Sequence, residues 1–246
     1  HDRPGACALG PSFDTAGWFA ARASVLARVG AVLLPEAAPG SAGQGLGPLV
    51  KVEEAWMNAP PATARALAGP LEAAQDLLGK ALTLMLAPEG LEALYEHFRC
   101  AQAAEAWTTL GSWVEATGPE FGPGVAQRFA AAKAMEPAKA AAGRAFREVF
   151  RARMQALLAG GAVLVYPTSP VPAPKLGASL EAQNAVREGT MGVTAIAGLA
   201  GLPEVTLPAA RVEGAPIGLS LVAGPGRDRG LLALAERLAA AMRLPV

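Results

Sequence analysis

The sequence predicts an α/β fold, a mixed β-sheet covered by helices on both sides. Three observations predict it. Ala162-Val163-Leu164-Val165-Tyr166 is a continuous apolar run bounded by glycine and proline, the pattern of a strand covered on both faces. Strand-like runs alternate along the chain with segments of helical spacing. Near the C-terminus, Glu204-Val205-Thr206-Leu207 and Ile217 to Val222 flank Val212 to Ala215, whose Glu213-Gly214 marks a hairpin turn and so an antiparallel pair.

The elements follow in order. Val25, Leu26, Val29, Leu33 and Leu34 recur at helical spacing over Ala23 to Leu34, with Ser24 available as N-cap. Pro35 to Pro48 is rich in Gly, Ala, Pro and Ser and is expected to be a loop. Leu49 to Val52 is a short strand. Pro60-Pro61-Ala62-Thr63 opens a helix expected to run to Leu78, with Gly79 as its stop. Ala81 to Leu86 is a second strand. Gly90 to Trp113 is a long helix with Leu91, Leu94, Tyr95, Phe98 and Trp107 on its apolar side. After the turn at Gly122-Pro123-Gly124, a helix runs to Met135, and Pro137 starts the next, which reaches Leu158. The strand of the apolar run leads into a proline-rich loop, Thr168 to Pro174. Glu181 to Leu199 is helical. Pro208 is expected to close the strand at Leu207, and Gly230 to Met242 forms the last helix.

With 246 residues, 52% of them hydrophobic, the chain has the material for a sizeable core. The formal net charge is zero, and no basic excess or patch of the kind a nucleic acid requires is visible. Arg144, Arg147, Arg151 and Arg153 are spaced as one solvated helix face. Cys7 and Cys100 are too few and too far apart for a disulfide framework, so a reducing, cytoplasmic setting is expected. No apolar run reaches the roughly 18 residues of a membrane span. No metal or other cofactor is expected. His1 and His97 are the only histidines, and no Cys/His cluster has zinc-ligand spacing. A histidine-dependent serine triad would rest on a terminal residue or on one in mid-helix, where a surface or core role is the ordinary reading. Glu53-Glu54 and Glu115/Glu120 form no paired-carboxylate motif, and Gly224-Pro225-Gly226 lacks the context of a phosphate-binding loop.

Two stretches carry a resemblance. They are Pro11-Ser12-Phe13-Asp14-Thr15-Ala16-Gly17-Trp18-Phe19-Ala20 and Ala195-Ile196-Ala197-Gly198-Leu199-Ala200-Gly201-Leu202-Pro203-Glu204-Val205-Thr206-Leu207-Pro208-Ala209. Between them stand Gln102 to Phe129 and Val163 to Pro174, and Ala215 to Val222 follows. In this order the segments resemble the amidase signature family, and Phe13-Asp14-Thr15 with Gly17-Trp18-Phe19 is most similar to indole-acetamide hydrolase-like and related bacterial amidases.

The resemblance implies a hydrolase that cleaves a small carboxamide to carboxylate and ammonia by Ser-cis-Ser-Lys chemistry. A lysine relays a proton through a bridging serine, and glycine-rich backbone N–H groups form the oxyanion hole. In the family the Ser-Phe-Asp-Thr segment lies just downstream of the catalytic serine loop. Residues 1–246 are therefore expected to be one domain, the C-terminal portion of an amidase signature domain, with the catalytic residues upstream. Ser12, Ser24, Ser41, Ser112, Ser169, Ser179 and Ser220 include no glycine-rich tandem. Lys51 superficially resembles the family lysine but lies on the wrong side of Phe13-Asp14-Thr15, and it reads as a solvent-facing strand residue.

What remains for this chain is pocket wall and support. The substrate-binding candidates are Phe13, Asp14, Thr15, Trp18, Tyr166 and Thr168. Asp14 would brace the preceding loop by accepting backbone N–H groups, or serve only as a turn or cap. Trp18 and Phe19 would line an aromatic pocket, although core is the ordinary place for large apolar residues. Tyr166 and Thr168 stand where a strand ends in a loop, the place where α/β folds hold ligands. The expected partner is a small amide, with neither nucleic acid nor membrane, and with a second copy or an upstream segment completing the sheet. The alternative is a non-catalytic remnant or ligand-binding module of the same fold.

Overall fold

The computed structural model describes residues 5–35 and 45–245. In chain order the elements are α1 (Ala23–Leu33), β1 (Leu49–Val52), α2 (Glu53–Asn58), α3 (Pro61–Ala66), α4 (Ala68–Leu78), β2 (Leu82–Leu84), α5 (Leu91–Thr117), α6 (Pro123–Lys133), α7 (Pro137–Leu158), β3 (Val163–Pro167), α8 (Leu180–Ala200), β4 (Glu204–Val212), β5 (Ala215–Val222) and α9 (Asp228–Ala241). The strands form one mixed sheet in the order β2-β1-β3-β5-β4. β2, β1 and β3 are parallel, and β5 is antiparallel to both β3 and β4. His1, Ser41 and most of the loop expected over Pro35 to Pro48 fall outside the described residues.

The chain divides into two compact units, His1–Gly17 with Glu96–Phe150 and Trp18–Tyr95 with Arg151–Val246. The second unit contains the sheet. All five residues of β3 are buried. Successive side chains of a strand point to opposite faces, so uniform burial means that β3 is covered on both. Ile196 and Leu199 of α8, Leu231 and Leu238 of α9, and Leu219 and Leu221 of β5 complete this core. α9 packs against β4, β5 and α1. Where α1 meets α9, a Cβ on Gly30 would lie 2.3 Å from Leu232 Cδ1 and 3.2 Å from Trp18 Cζ2, so any larger residue there requires the Leu232 side chain to move. Glu54 ties α2 to the segment after β2, its Oε1 accepting the N–H groups of Leu86 (3.0 Å) and Ala87 (2.8 Å).

The first unit is helical. His97 stacks on Phe146 at 4.1 Å between ring centroids, and Phe13 meets Phe98 edge-on at 5.1 Å. His97 is thus a packed residue, in line with its ordinary reading. At the crossing of α5 and α7, a Cβ on Gly143 would lie 2.7 Å from the His97 carbonyl oxygen and 3.1 Å from the Ala101 nitrogen.

Several expectations need correction. Ser24 does not cap α1: the N-cap is Arg22, and it makes no side-chain cap bond. The single helix expected to run to Leu78 is two, broken at the fully buried Leu67. Pro70 explains the break, since proline has no N–H for the Ala66 carbonyl and its ring clashes there. Gly79 does end α4, with φ of 88°. α2 was not expected at all. Pro208 does not close β4, which runs on to Val212 through a register irregularity between Leu207 and Ala210. A bulge there leaves the missing proline donor without consequence. The hairpin turn is as expected, with Glu213 (φ 50°) and Gly214 (φ 80°) both in the left-handed region that a two-residue hairpin loop requires.

Candidate functional site

β3 ends beside the β4–β5 hairpin, and the register decides which side chains meet there. Tyr166 pairs with Ser220, and Ser220 with Thr206. Alternation puts Tyr166, Thr168, Ser220, Thr206 and Glu204 on one face. Three hydroxyls converge at the strand end. Thr168 Oγ1 lies 2.7 Å from Ser220 Oγ and donates to Thr206 Oγ1 at 3.4 Å, and Thr206 Oγ1 lies 3.1 Å from Ser220 Oγ. Gly218 makes room for them, since a Cβ on it would lie 2.6 Å from Thr206 Cγ2 and 2.7 Å from Thr168 Oγ1. Thr168 is half-buried, whereas Tyr166 and Ser220 are fully buried.

Beneath the hydroxyls, Tyr166 Oη and Glu204 Oε1 are both buried, and neither finds a partner of good hydrogen-bond geometry. Burial pushes the Tyr166 phenol well above its usual range, and the adjacent Glu204 carboxyl pushes it further. Burial also raises Glu204, against the opposing pull of the Ser220 and Tyr166 hydroxyls. When protonated, the Glu204 carboxyl donates a hydrogen bond where a carboxylate only accepts.

In the first unit, Phe13 and Asp14 belong to a closed turn, and Thr15 follows it. The Asp14 carboxylate accepts the N–H groups of Leu9 (2.9 Å) and Gly10 (3.2 Å), and the N–H groups of Phe13 and Asp14 donate to the Gly10 carbonyl at 2.7 and 2.8 Å. Ser12 is held by both long helices. Its N–H donates to Glu105 Oε2 at 3.0 Å, its hydroxyl donates to Glu105 Oε1, and Arg147 donates to its hydroxyl and, at 2.6 Å, to its carbonyl oxygen. The Arg147 guanidinium also covers the Phe13 ring, 3.8 Å from its centroid. The reading of Arg147 as solvated is therefore wrong: it is 5% exposed. Its partners come from sequence positions 42 and 135 residues away, so helical spacing alone could not locate them.

Trp18, in the second unit, is half-buried, and its Nε1–H donates to the Leu26 carbonyl at 3.0 Å. Phe19 is fully exposed, against its core reading. Lys51 is half-buried, with its ammonium 5.3 Å from the Trp56 ring centroid rather than extended into solvent. Thr15 is exposed. The structure thus joins Phe13 and Asp14 in one turn with exposed Thr15 just past it, sets Tyr166 and Thr168 on one strand end, and packs Trp18 on α1. Sequence reasoning missed Glu204, Thr206, Ser220, Glu105 and the role of Arg147. The alternation Glu204-x-Thr206 was the one available signal. Among the described residues no group of three His, Cys, Asp or Glu side chains is placed to hold a metal, and no helix is long and apolar enough to cross a membrane.

Two open cavities of about 290 Å³ each lie in the first unit. One is walled by Trp107, Phe121, Phe129 and Lys133, and the other by Pro11, Ser12, Glu105, Thr108 and Arg144 among others.

Comparison with known proteins gives consistent matches. The family model described as Amidase matches residues 70–232. The chain is 35% identical over 150 residues to Amidase 1 of Arabidopsis thaliana, covering 61% of this chain and 35% of that protein. It is 30% identical over 251 residues to Amidase 1 of Oryza sativa subsp. japonica, covering 92% of this chain and 58% of that one. The solved "Crystal structure of amidase" superposes with a TM-score of 0.72 at 26% identity, over 91% of this chain and 51% of the other. The chain thus spans between about a third and three fifths of these curated relatives. A match over most of the sheet-bearing unit, with its strand-end hydroxyls inside it, places the chain in the amidase signature family.

Proposed function

We propose that the chain is the C-terminal portion of an amidohydrolase that cleaves a small carboxamide to carboxylate and ammonia. The observation that supports this best is the family match over residues 70–232, which includes β3 and the β4–β5 hairpin. The reacting groups, a Ser-cis-Ser-Lys set, lie upstream of residue 1, because none of the serines here stands in a glycine-rich tandem. In this reading Thr168, backed by Tyr166, borders the acyl side of the substrate. In the other unit Asp14 braces Leu9 and Gly10, Phe13 packs the turn, and Thr15 faces outward. Trp18 supports the start of α1. Two free cysteines suit a reducing, cytoplasmic compartment.

The test is ammonia release from phenylacetamide, measured with residues 1–246 alone and with a longer chain carrying an upstream lysine and serine pair. The longer chain turns the amide over and the shorter one does not. Turnover by the 246 residues that disappears in Lys51→Ala would overturn the placement of the chemistry. No turnover by either would leave the second reading, a ligand-binding module of the same fold.

A further inference from the structure

Every polar group of Ser12 is gripped by a charged side chain. Glu105 of α5 accepts its N–H and its hydroxyl, and Arg147 of α7 donates to its hydroxyl and its carbonyl oxygen. The two charges lie 4.0 Å apart and do not form the parallel two-bond fork that arginine and carboxylate adopt when left to themselves. Their geometry is built around the serine between them. Burying an arginine is costly, and an apolar side chain would often fill the same space at no loss of stability. A device of this kind therefore serves position more than stability. What it positions is short and closed: the turn from Leu9 to Asp14, tied internally by the Asp14 carboxylate and the Gly10 carbonyl.

We propose that Arg147 and Glu105 are positioning residues, which fix the Leu9–Asp14 turn and through it the path of the chain that enters at Gly10. The catalytic half of this rests on the amidohydrolase reading, in which the reacting serine lies upstream of that turn. Arg147 meets Ser12 at two atoms and Phe13 at its ring face. A lysine ammonium, a point charge without a planar fork, cannot do both.

The experiment uses the longer chain and phenylacetamide. Arg147→Lys, Arg147→Met, Glu105→Gln and Ser12→Ala are compared with Lys139→Met, an exposed lysine on the same helix. Three quantities are read: kcat and KM separately, the melting temperature, and amide hydrogen exchange at Leu9 and Gly10. Both Arg147 variants are expected to lose kcat about 10- to 100-fold. KM is expected to stay within about twofold. Exchange at Leu9 and Gly10 quickens, and Glu105→Gln falls between these and the wild type. Lys139→Met changes none of the three. Faster exchange with unchanged kcat would overturn the proposal, as would unchanged exchange. So would a general loss of protection with a matching fall in melting temperature. Should the Arg147 variants fail to fold, Ser12→Ala decides in the same terms, since it removes only the hydroxyl contacts. A wild type without turnover removes the amidohydrolase reading and the catalytic half with it, and the exchange measurement still decides whether the pair holds the turn.

Discussion

Thr168, just past the end of β3, and Ser220 of β5 are diagonal neighbours on one face with 2.7 Å between their hydroxyl oxygens, although neither belongs to a motif that sequence inspection marks as a pair. Thr168→Val keeps the shape and removes the hydroxyl. One neutral hydrogen bond contributes about 0.5–1.5 kcal/mol, so denaturant unfolding should show a loss of that size. Ser220 keeps Thr206 as a partner, which holds the loss near the lower end. A loss above about 3 kcal/mol would show that Thr168 supports more than this bond.

Glu204 predicts a dependence on pH. Its folded-state pKa lies above the ordinary carboxylate value of 4.5 because burial disfavours the charge. The stabilising contribution of a raised acid is complete below the unfolded-state value and is lost as pH rises through the folded-state value. Wild-type stability therefore declines from mildly acidic pH upward. Glu204→Gln cannot ionise and should be more stable than wild type at pH 8, with the gap closing toward pH 4. Parallel urea titrations across that range check it, and a gap independent of pH would show that Glu204 titrates alike in the folded and unfolded states.

Gly143 of α7 packs directly against the backbone of α5 at His97 and Ala101. Gly143→Ala should cost about 1–3 kcal/mol, because the added carbon meets backbone atoms that cannot rotate away. The same change at Gly124, whose Cβ would meet only the end of Arg128 at 3.8 Å, should lie within about 0.5 kcal/mol of zero, apart from the small gain alanine brings to a helix. Thermal melts of the two variants separate the cases.

β2 forms one end of the sheet, and Leu82 with the adjacent Met85 is exposed along it. An open apolar edge invites pairing with another chain, and a net charge of zero gives little protection. Residues 1–246 alone should associate in light scattering and bind an apolar dye. Leu82→Lys with Met85→Lys should reduce both signals.

Glycine and proline carried most of the information that made the fold legible. Pro137, Gly79 and Gly160-Gly161 mark helix ends where the structure has them, and the unbroken apolar run at Ala162 to Tyr166 identifies the central strand. Features decided by distant partners stayed hidden. Arg147 repeats at the spacing of a solvated face and is buried because Ser12, Phe13 and Glu105 come to it. α2 was missed because six residues hold little periodicity, and Glu54 earns its place through amides more than thirty positions away. Asp14 was legible because its partners are local. The Ser220 cluster was not, because it depends on how two strands are aligned.

That alignment is set by a length. Counting back from the turn, an uninterrupted ladder would set Leu207 against Ser220. The irregularity between Leu207 and Ala210 moves the pairing by one residue and sets Thr206 there instead. Since a shift of one residue inverts which side chains share a face, the bulge works as a phase corrector for the first half of β4. Removing one residue at Pro208-Ala209 would take out the extra residue and leave Thr206 opposite Ser220 in a regular ladder, whereas inserting one with no second irregularity would set Leu207 there. The polar character of that strand end thus depends on the bulge absorbing the one residue by which β4 exceeds a regular ladder.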